Sequence, residues 1–502
     1  MVPDVAGLDG KSFDYLVSDE LRDQVRVGGI VRVSLHGRRV RAWVTAVDIA
    51  PAEGVALKPI ARVSRGGTSA ELVDLADWAS WRWAGRVVHV LDAATNAEGS
   101  IRSGERRAEP GVTVIRVPPA APRPTFDGAL VVDGRRSTVW ASAPEAKAIV
   151  VVDEHDEGLQ EERAPTWHAR DVAVERARRA GIACVLLSPC PSLEALAVAD
   201  RVIEPSRDEE RAGWPILDVV DRRRDDPRSG LYSDRLLQAI RRSGARRVVC
   251  VLNRKGRSRL LACAVCGQIA TCERCDAAVV QPESVLRCER CATERPVLCT
   301  ACGATRLRNL RVGVGRVRDE LDAILGEPVG DEDGRERVLV GTEAVLHRRV
   351  PDLAVVAFLD FDQELLSPRY RAHEQAMGLL ARGARMLGPR ARGGRLVAQT
   401  RHPKHQVLDA VLHADPGRLA APERARRIEL GFPPATALAA VSGAGAPEFI
   451  DAFGSRLGID VLGPVDGRWL LRAPDHQTLC DALAVTPRPR ARTRIEVDPL
   501  RI

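Results

Sequence analysis

Lysine is nearly missing from this 502-residue chain: only Lys11, Lys58, Lys147, Lys255 and Lys404 occur, so 70 of its 75 basic residues are arginines. Aromatic residues make up 4%, and methionine occurs three times. No run approaches the roughly 18 uncharged apolar residues of a membrane span. The start, Met1-Val2-Pro3-Asp4, has neither the basic nor the apolar region of a secretory signal. A membrane protein is therefore excluded, and the cytoplasm is the expected compartment. Disorder is excluded as well, because 45% of the residues are hydrophobic. At roughly 100–200 residues per domain, the length predicts about three to five compact units. The net charge of +7 permits a polyanionic partner without requiring one. Alanine and valine are abundant too, so much of the arginine excess reads as compositional bias and solvated surface.

A reducing compartment disfavours disulfides, so the twelve cysteines need another reading. Cys184, Cys190, Cys250 and Cys480 are scattered. The other eight form Cys263/Cys266, Cys272/Cys275, Cys288/Cys291 and Cys299/Cys302, four Cys-x-x-Cys pairs within 40 residues. Two such pairs make one tetrahedral thiolate site, so four pairs predict two Zn2+ ions. Twelve residues separate the second pair from the third, enough for a hairpin, which favours a nested arrangement. The inner pairs would share one ion and the outer pairs the other; crossed or sequential pairing is also compatible with the spacing. Eight thiolates with no open position predict a structural role, with folding energy on the order of 10 kcal/mol or more per site. Arg254, Arg257, Arg259, Arg274, Arg287, Arg290, Arg295, Arg306, Arg308 and Arg311 crowd this module. They read either as a phosphate-contacting face or as an exposed solvated one.

Along the chain, Phe13–Val17, Ile30–Val33 and Val40–Val47, with a turn at Gly37-Arg38-Arg39, predict a small β-rich domain. A helical stretch carrying Trp78, Trp81 and Trp83 closes it, with core packing favoured over base stacking. Gly99 to Pro124 is polar and rich in Pro, Gly and Arg and reads as a linker. Short apolar runs then predict buried parallel strands at 148–152, 182–187, 247–252, 337–342 and 355–360. Polar groups sit at their C-terminal ends, where an open α/β sheet places its site. The last 80 residues read as an α+β unit. Arg488, Arg490, Arg492 and Arg494 alternate, and on a strand they would present one basic face.

With gaps, from about residue 12 to the end, the chain resembles the PriA (primosomal protein N′) family of fork-recognising superfamily 2 DNA helicases. Phe13-Asp14-Tyr15, Gly37 and Lys58 are similar to the family's pocket for the 3′ end of the nascent leading strand. Asp153-Glu154-His155-Asp156, followed by Pro165-Thr166-Trp167-His168-Ala169-Arg170-Asp171, resembles its Walker B segment and sequel. Leu252-Asn253-Arg254-Lys255-Gly256 leads into the cysteines, which in that family bind two zinc ions in the nested pairing. Gly341-Thr342-Glu343, Leu359-Asp360-Phe361-Asp362, Phe432-Pro433-Pro434, Leu462-Gly463-Pro464-Val465 and Val497-Asp498-Pro499 also match.

The departures from the family bear on activity. Such a helicase needs Gly-x-x-x-x-Gly-Lys-Ser/Thr, whose backbone N–H groups wrap the phosphates. The nearest segment, Asp133-Gly134-Arg135-Arg136-Ser137-Thr138, has one glycine and no lysine. Gly388-Pro389-Arg390-Ala391-Arg392-Gly393 carries a proline in place of a finger arginine, and the Gly341-Thr342 segment continues without its usual Lys-Gly. The resemblance thus implies a multidomain α/β chain: an N-terminal β-rich DNA-binding domain (1–98), a linker (99–125), degenerate helicase-like lobes (126–210; 211–262 and 303–415), an inserted two-zinc ribbon (263–302) and a C-terminal α+β domain (416–502). No winged-helix domain fits between Ile115 and Phe126. Asp153 and Glu154 are expected to be vestigial, ATP and Mg2+ to lack a cradle, and His155, His168 and Cys190 to be structural. The implied role is binding of branched and single-stranded DNA in replication restart. The implied partners are primosome components, the replicative helicase or its loader, and single-strand-binding protein; no membrane is involved. An ATP-driven 3′-to-5′ helicase with a divergent phosphate loop, and a zinc-ribbon interaction scaffold without DNA binding, are the alternatives.

Overall fold

A computed structural model of the chain describes residues 1–5, 8, 11–50, 56–225, 230–252, 260–282, 284–309 and 314–501. The chain opens with β1 (Val2–Pro3), β2 (Tyr15–Leu16), β3 (Gly29–Leu35), β4 (Arg38–Trp43), β5 (Lys58–Pro59) and β6 (Arg62–Gly67), then α1 (Ala70–Arg82) and α2 (Val87–Thr95). The alternation along β3 turns Val31 and Val33 into a small core, beneath an antiparallel sheet ordered β1-β4-β3-β6. β2 and β5 pair in parallel beside it. The hairpin turn is His36-Gly37 rather than Gly37-Arg38-Arg39, since both residues have positive φ (47° and 77°), as a two-residue hairpin turn requires. Trp83 is fully buried and Trp78 packs edge-on against it, which bears out core packing; Trp81 donates to Asp481 Oδ1 at 2.9 Å.

Next come β7 (Ile101–Arg102), β8 (Gly111–Arg116), β9 (Ala129–Asp133), β10 (Ala148–Val152), α3 (Ala169–Ala180), β11 (Ala183–Ser188), α4 (Leu193–Val198) and β12 (Arg201–Ile203). They build a sheet ordered β12-β8-β11-β10-β9-β7, parallel except for β7. Residues 99–125 are therefore not a linker. β8 lies inside this sheet with Val114 and Ile115 buried, hidden in the sequence by flanking proline and arginine.

α5 (Arg207–Gly213) leads to β13 (Ile216–Asp221), α6 (Asp234–Arg242) and β14 (Arg247–Val251). The cysteine-rich insertion follows, with β15 (Leu261–Cys263), β16 (Val279–Val280), β17 (Val285–Cys288), β18 (Glu294–Pro296) and β19 (Leu307–Asn309). After it come α7 (Val314–Leu325), β20 (Val329–Gly330), β21 (Val338–Gly341), β22 (Leu353–Phe358), α8 (Asp362–Leu365), α9 (Ala372–Leu387) and β23 (Arg395–Thr400). They complete a second, all-parallel sheet ordered β13-β23-β22-β14-β21-β20. The insertion thus leaves β14 and returns to the same sheet.

α10 (Gln406–Leu412) and α11 (Gly417–Leu430) connect to β24 (Ala437–Ser442), α12 (Ala446–Phe453), β25 (Asp460–Val465), β26 (Arg468–Ala473), α13 (His476–Ala484) and β27 (Arg494–Val497). The strands form an antiparallel sheet ordered β25-β26-β24-β27. Only Arg494 of the four alternating arginines lies on a strand. Pro487 and Pro489 cannot donate to a ladder, so the expected basic strand does not form before residue 494.

The units share buried contacts. One apolar core runs through α1 and α2, one face of the first parallel sheet, and the C-terminal sheet. At its margin Arg82 donates to Asp498 at 2.6 Å, His476 Nε2 lies 2.8 Å from the same carboxylate, and Gln160 donates to the Asp498 carbonyl at 2.8 Å. Arg427 on α11, fully buried, donates to Glu194 on α4 at 3.1 Å and to Glu374 on α9, tying both parallel sheets to the C-terminal helices. Among the described residues, no helix is long and apolar enough to cross a membrane.

Candidate functional sites

The four cysteine pairs fold alike. In each, the N–H of the residue after the second cysteine donates to the carbonyl of the first: Gly267 to Cys263 (3.0 Å), Asp276 to Cys272 (2.9 Å), Ala292 to Cys288 (3.0 Å) and Gly303 to Cys299 (2.9 Å). All four of those residues have positive φ, a conformation free for Gly267 and Gly303 and costly for Ala292. The turn aims both sulfurs of a pair the same way. The β16–β17 hairpin, with Val279 opposite Cys288, brings the inner pairs together, and the β15–β19 ladder joins the outer ones.

The sulfurs gather as Cys263, Cys266, Cys299 and Cys302, and as Cys272, Cys275, Cys288 and Cys291, which is the nested pairing. Facing Sγ atoms lie 3.5 Å apart for Cys263/Cys302, Cys272/Cys291 and Cys275/Cys288, and 3.6 Å for Cys266/Cys299. A tetrahedron with Zn–S of about 2.3 Å has edges of about 3.8 Å, so both clusters fit Zn2+ after slight expansion. No ligand position is left open. The inner cluster is buried: Ala278 N–H donates to Leu366 O at 2.7 Å, Arg290 donates to Cys275 O at 3.1 Å and to Ser367 O, and Tyr370 and Phe432 close over it. In the outer cluster Cys266 and Cys302 are exposed.

Of the arginines that read as either a phosphate-contacting or a solvated face, several are engaged within the protein. Arg290 is buried, Arg295 donates to Leu298 O and Thr271 O, and Arg287 lies 3.7 Å from Asp466. Arg274 and Arg306 are exposed and Arg308 half-buried, while Arg254, Arg257, Arg259 and Arg311 lie outside the described residues.

In the first parallel sheet, strand order reverses around β8, which has β11 on one side and β12 on the other. Such a switch point opens the crevice in which doubly wound sheets hold phosphates. Here β8 runs into Val117-Pro118-Pro119-Ala120-Ala121-Pro122-Arg123-Pro124, with no glycine, and no helix follows before β9. Four prolines remove four N–H donors, and no helix begins between β8 and β9 to offer its N-terminus. Asp133–Thr138, the nearest sequence match to a phosphate loop, instead follows β9 at the other side of β10.

The acidic pair after β10 is already occupied. Asp153 receives Arg385 of α9 in a bidentate pair, 2.7 Å at each oxygen, and Arg123 at 2.6 Å. Burial would raise this carboxyl's pKa, but the two guanidinium groups hold it below its ordinary value. Glu154 is fully buried and accepts from Ser192 N at 2.8 Å, Ser192 Oγ at 2.7 Å and Arg170 Nη1 at 3.3 Å. Glu154 is sealed from solvent, and Asp153, at the wall of a cleft, has its oxygens engaged by Arg385 and Arg123. His155 Nδ1 lies 2.8 Å from Ser188 Oγ, and His168 caps α3 by accepting from Arg170 N at 3.1 Å. Burial depresses both imidazoles, His168 to about 3, so both are neutral. Burial also pushes the Cys190 thiol far up, away from a nucleophilic state. Between the two sheets a cleft of about 980 Å3 is lined by Asp153, Arg246, Arg348, Arg349, Arg382 and Arg385. Sequence reasoning missed Arg385 and Arg123; the only signal was the pair Arg382 and Arg385, one helical turn apart, since Arg385 lies 232 residues from Asp153.

At the N-terminus, the parallel register sets Tyr15 opposite Lys58, and Phe13 and Asp14 precede it. Tyr15 OH donates to Ser34 O at 3.3 Å, and the Phe13 N–H donates to Met1 O at 2.9 Å. Gly37 lies at the tip of the hairpin that carries Ser34. Asp14, Gly37 and Lys58 are exposed and Phe13 and Tyr15 half-buried, so one lip combines aromatic rings, a carboxylate and an ammonium group.

A family model described as 3′DNA-binding domain (3′BD) matches residues 4–96. Replication restart protein PriA of Haemophilus influenzae is 26% identical over 428 residues, covering 74% of this chain and 58% of that protein. The protein of that name from Bacillus subtilis is 27% identical over 346 residues, 62% of this chain and 43% of its own. Probable replication restart protein PriA of Mycobacterium tuberculosis (strain CDC 1551 / Oshkosh) is 31% identical over 441 residues, 74% of this chain and 66% of that one. The chain spans about half the length of the first two of these relatives.

Proposed function

This chain belongs to the family of replication restart protein PriA, and we propose that it is a DNA-binding scaffold for restart of stalled or collapsed replication forks, without helicase activity of its own. The two parallel sheets are then helicase-like lobes from which nucleotide chemistry has been lost. The observation that carries this reading is the proline-rich loop after β8, where a phosphate cradle would have to stand. Phosphoryl transfer depends almost wholly on positioning and charge stabilisation of the γ-phosphate, and a loop without glycine, lysine or a following helix supplies neither. Asp153 and Glu154, the pair that would hold Mg2+, serve instead as salt-bridge and hydrogen-bond acceptors.

In this reading the rings of Phe13 and Tyr15 stack the terminal base, Lys58 neutralises a phosphate and Gly37 lets the strand approach. Asp14 accepts a hydrogen bond from the free 3′-hydroxyl, which only an unblocked nascent end can donate. Zn2+ at both thiolate centres supplies structural cross-links. The chain then recruits the replicative helicase or its loader, other primosome components and single-strand-binding protein.

The test measures fork binding and DNA-stimulated ATP hydrolysis on one zinc-replete preparation. Forks with a 3′ end at the branch should bind more tightly than linear duplex. K58A should lose that preference, and hydrolysis should not exceed a protein-free blank. Forks binding no better than linear duplex would overturn the DNA role. ATP turnover abolished by Asp153→Asn would instead support a working helicase with a divergent loop.

A further inference from the structure

The N-terminal sheet has two unlike faces. On one, Val31, Val33 and Ala42 pack beneath the β2–β5 side of the domain, with Tyr15 among the residues covering them. On the other, Ile30 and its partner Trp43 bury against α1 and α2. Residues directly opposite one another on antiparallel strands point to the same side, so the next positions on that second face follow from register. Arg32 on β3 stands opposite Arg41 on β4 and opposite Arg62 on β6. One step further along, Ser34 stands opposite Arg39. Three adjacent strands, spaced about 4.8 Å apart, therefore carry a transverse row of arginines with a fourth beside it.

Like charges directly opposite one another destabilise a sheet. Arg41 is relieved: it pairs with Asp4 and Asp92, each at 2.9 Å, and stacks over Trp43. Among the described residues, Arg32, Arg39 and Arg62 have no ion-pair partner, although Arg32 is half-buried. Buried arginines elsewhere, such as Arg170, Arg371 and Arg427, are matched to carboxylates, whereas half-buried Arg32 is not. Register sets Arg32 and Arg62 directly opposite one another, with Arg39 one step along on the same face.

We propose that this face binds the sugar–phosphate backbone of duplex DNA, independently of sequence, on the side of the sheet opposite Tyr15. Guanidinium groups fixed in a row by strand register present paired N–H donors to successive phosphates, and the Ser34 and Ser64 positions on the same face add hydroxyls. The domain then grips a nascent end on one side and a duplex arm on the other. This inference rests on the DNA-binding reading above.

Fluorescence anisotropy of the full, zinc-replete chain with a blunt duplex and with a fork carrying a 3′ end, each across a salt series, tests it. The variant R32Q/R39Q/R62Q should flatten the slope of log K against log [salt] by about 0.9 per lost phosphate contact, up to about 3. Its ratio of fork to duplex affinity should stay as in the parent. R62Q alone, at an exposed position, should lower the slope by about 1, which keeps the test valid if the triple variant folds poorly. R41Q, whose charge is already matched, should leave the slope unchanged. An unchanged slope in both R62Q and the triple variant overturns this inference, even if K58A still abolishes 3′-end preference. So does retention of DNA affinity by the triple variant together with loss of binding to polyglutamate, which would assign the face to an acidic protein. Failure of the parent to bind any DNA would instead overturn the underlying reading.

Discussion

Asp153→Asn separates a live nucleotide site from a structural one. In a working ATPase it would abolish turnover and leave the fold largely intact. Here Asp153 is the acceptor for two arginines, one of them, Arg385, from the second parallel sheet's helix α9. Two unit charges about 4 Å apart interact by about 4 kcal/mol at an effective dielectric constant of 20. The side chains of Asp153 and Arg385 are 19% and 33% exposed, between the exposed pairs worth about 0.2–1 kcal/mol and the buried ones whose rupture costs about 3–5 kcal/mol. The expected loss is about 1–2 kcal/mol, since Asn can accept one hydrogen bond but leaves Arg385 without a carboxylate, while Arg123 keeps only Asp133 at 3.6 Å. At about 2–4 °C per kcal/mol for units of 150–250 residues, the melting transition should fall by about 2–8 °C. Adding R385M should recover part of this, a non-additivity of about 1 kcal/mol in the double-mutant cycle. Differential scanning calorimetry and a nucleotide-hydrolysis assay read both quantities on the same samples. A D153N protein as stable as the parent, or a parental ATP turnover that D153N removes, would refute the reasoning.

Because Cys266 and Cys302 are exposed and the inner cluster is buried, a chelator should release zinc in two phases, the outer ion first, as followed with a zinc-responsive dye; simultaneous release would contradict the packing argument. C275S should cost far more thermal stability than C302S, because the inner cluster is bolted to Leu366, Ser367 and Phe432. Asp498 is buried, which would raise its pKa, but His476 and Arg82 hold it well below the ordinary carboxylate range. Its pairing therefore contributes fully above about pH 4, the unfolded value, and is lost as pH falls through the depressed folded value. R82M should remove about 3–5 kcal/mol at pH 7 and make the loss of stability below pH 4 shallower in acid titrations of unfolding; an unchanged acid limb would argue against the pairing.

The cysteine clusters that could hold metal were legible because a Cys-x-x-Cys turn is a local object: two residues of spacer, a positive-φ residue behind it, and both sulfurs on one side. Buried strands such as Ala148–Val152 were equally legible as continuous apolar runs. β8 was not, because its two neighbours, β11 and β12, lie far downstream and its own six residues stand among prolines and arginines. The alternating arginines at 488–494 misled for the converse reason: period two suggests a strand, but Pro487 and Pro489 deny it the ladder.

By itself, then, the sequence determined the four Cys-x-x-Cys pairs and the lack of a phosphate-loop motif, both carried by neighbours along the chain. Only the tertiary structure decided that β8 occupies the switch point of its sheet. It alone matched Asp153 with Arg385 across 232 residues, and set Arg32, Arg41 and Arg62 in one row. Charge pairing and strand register act through space, and a linear string holds no measure of which distant side chains will meet.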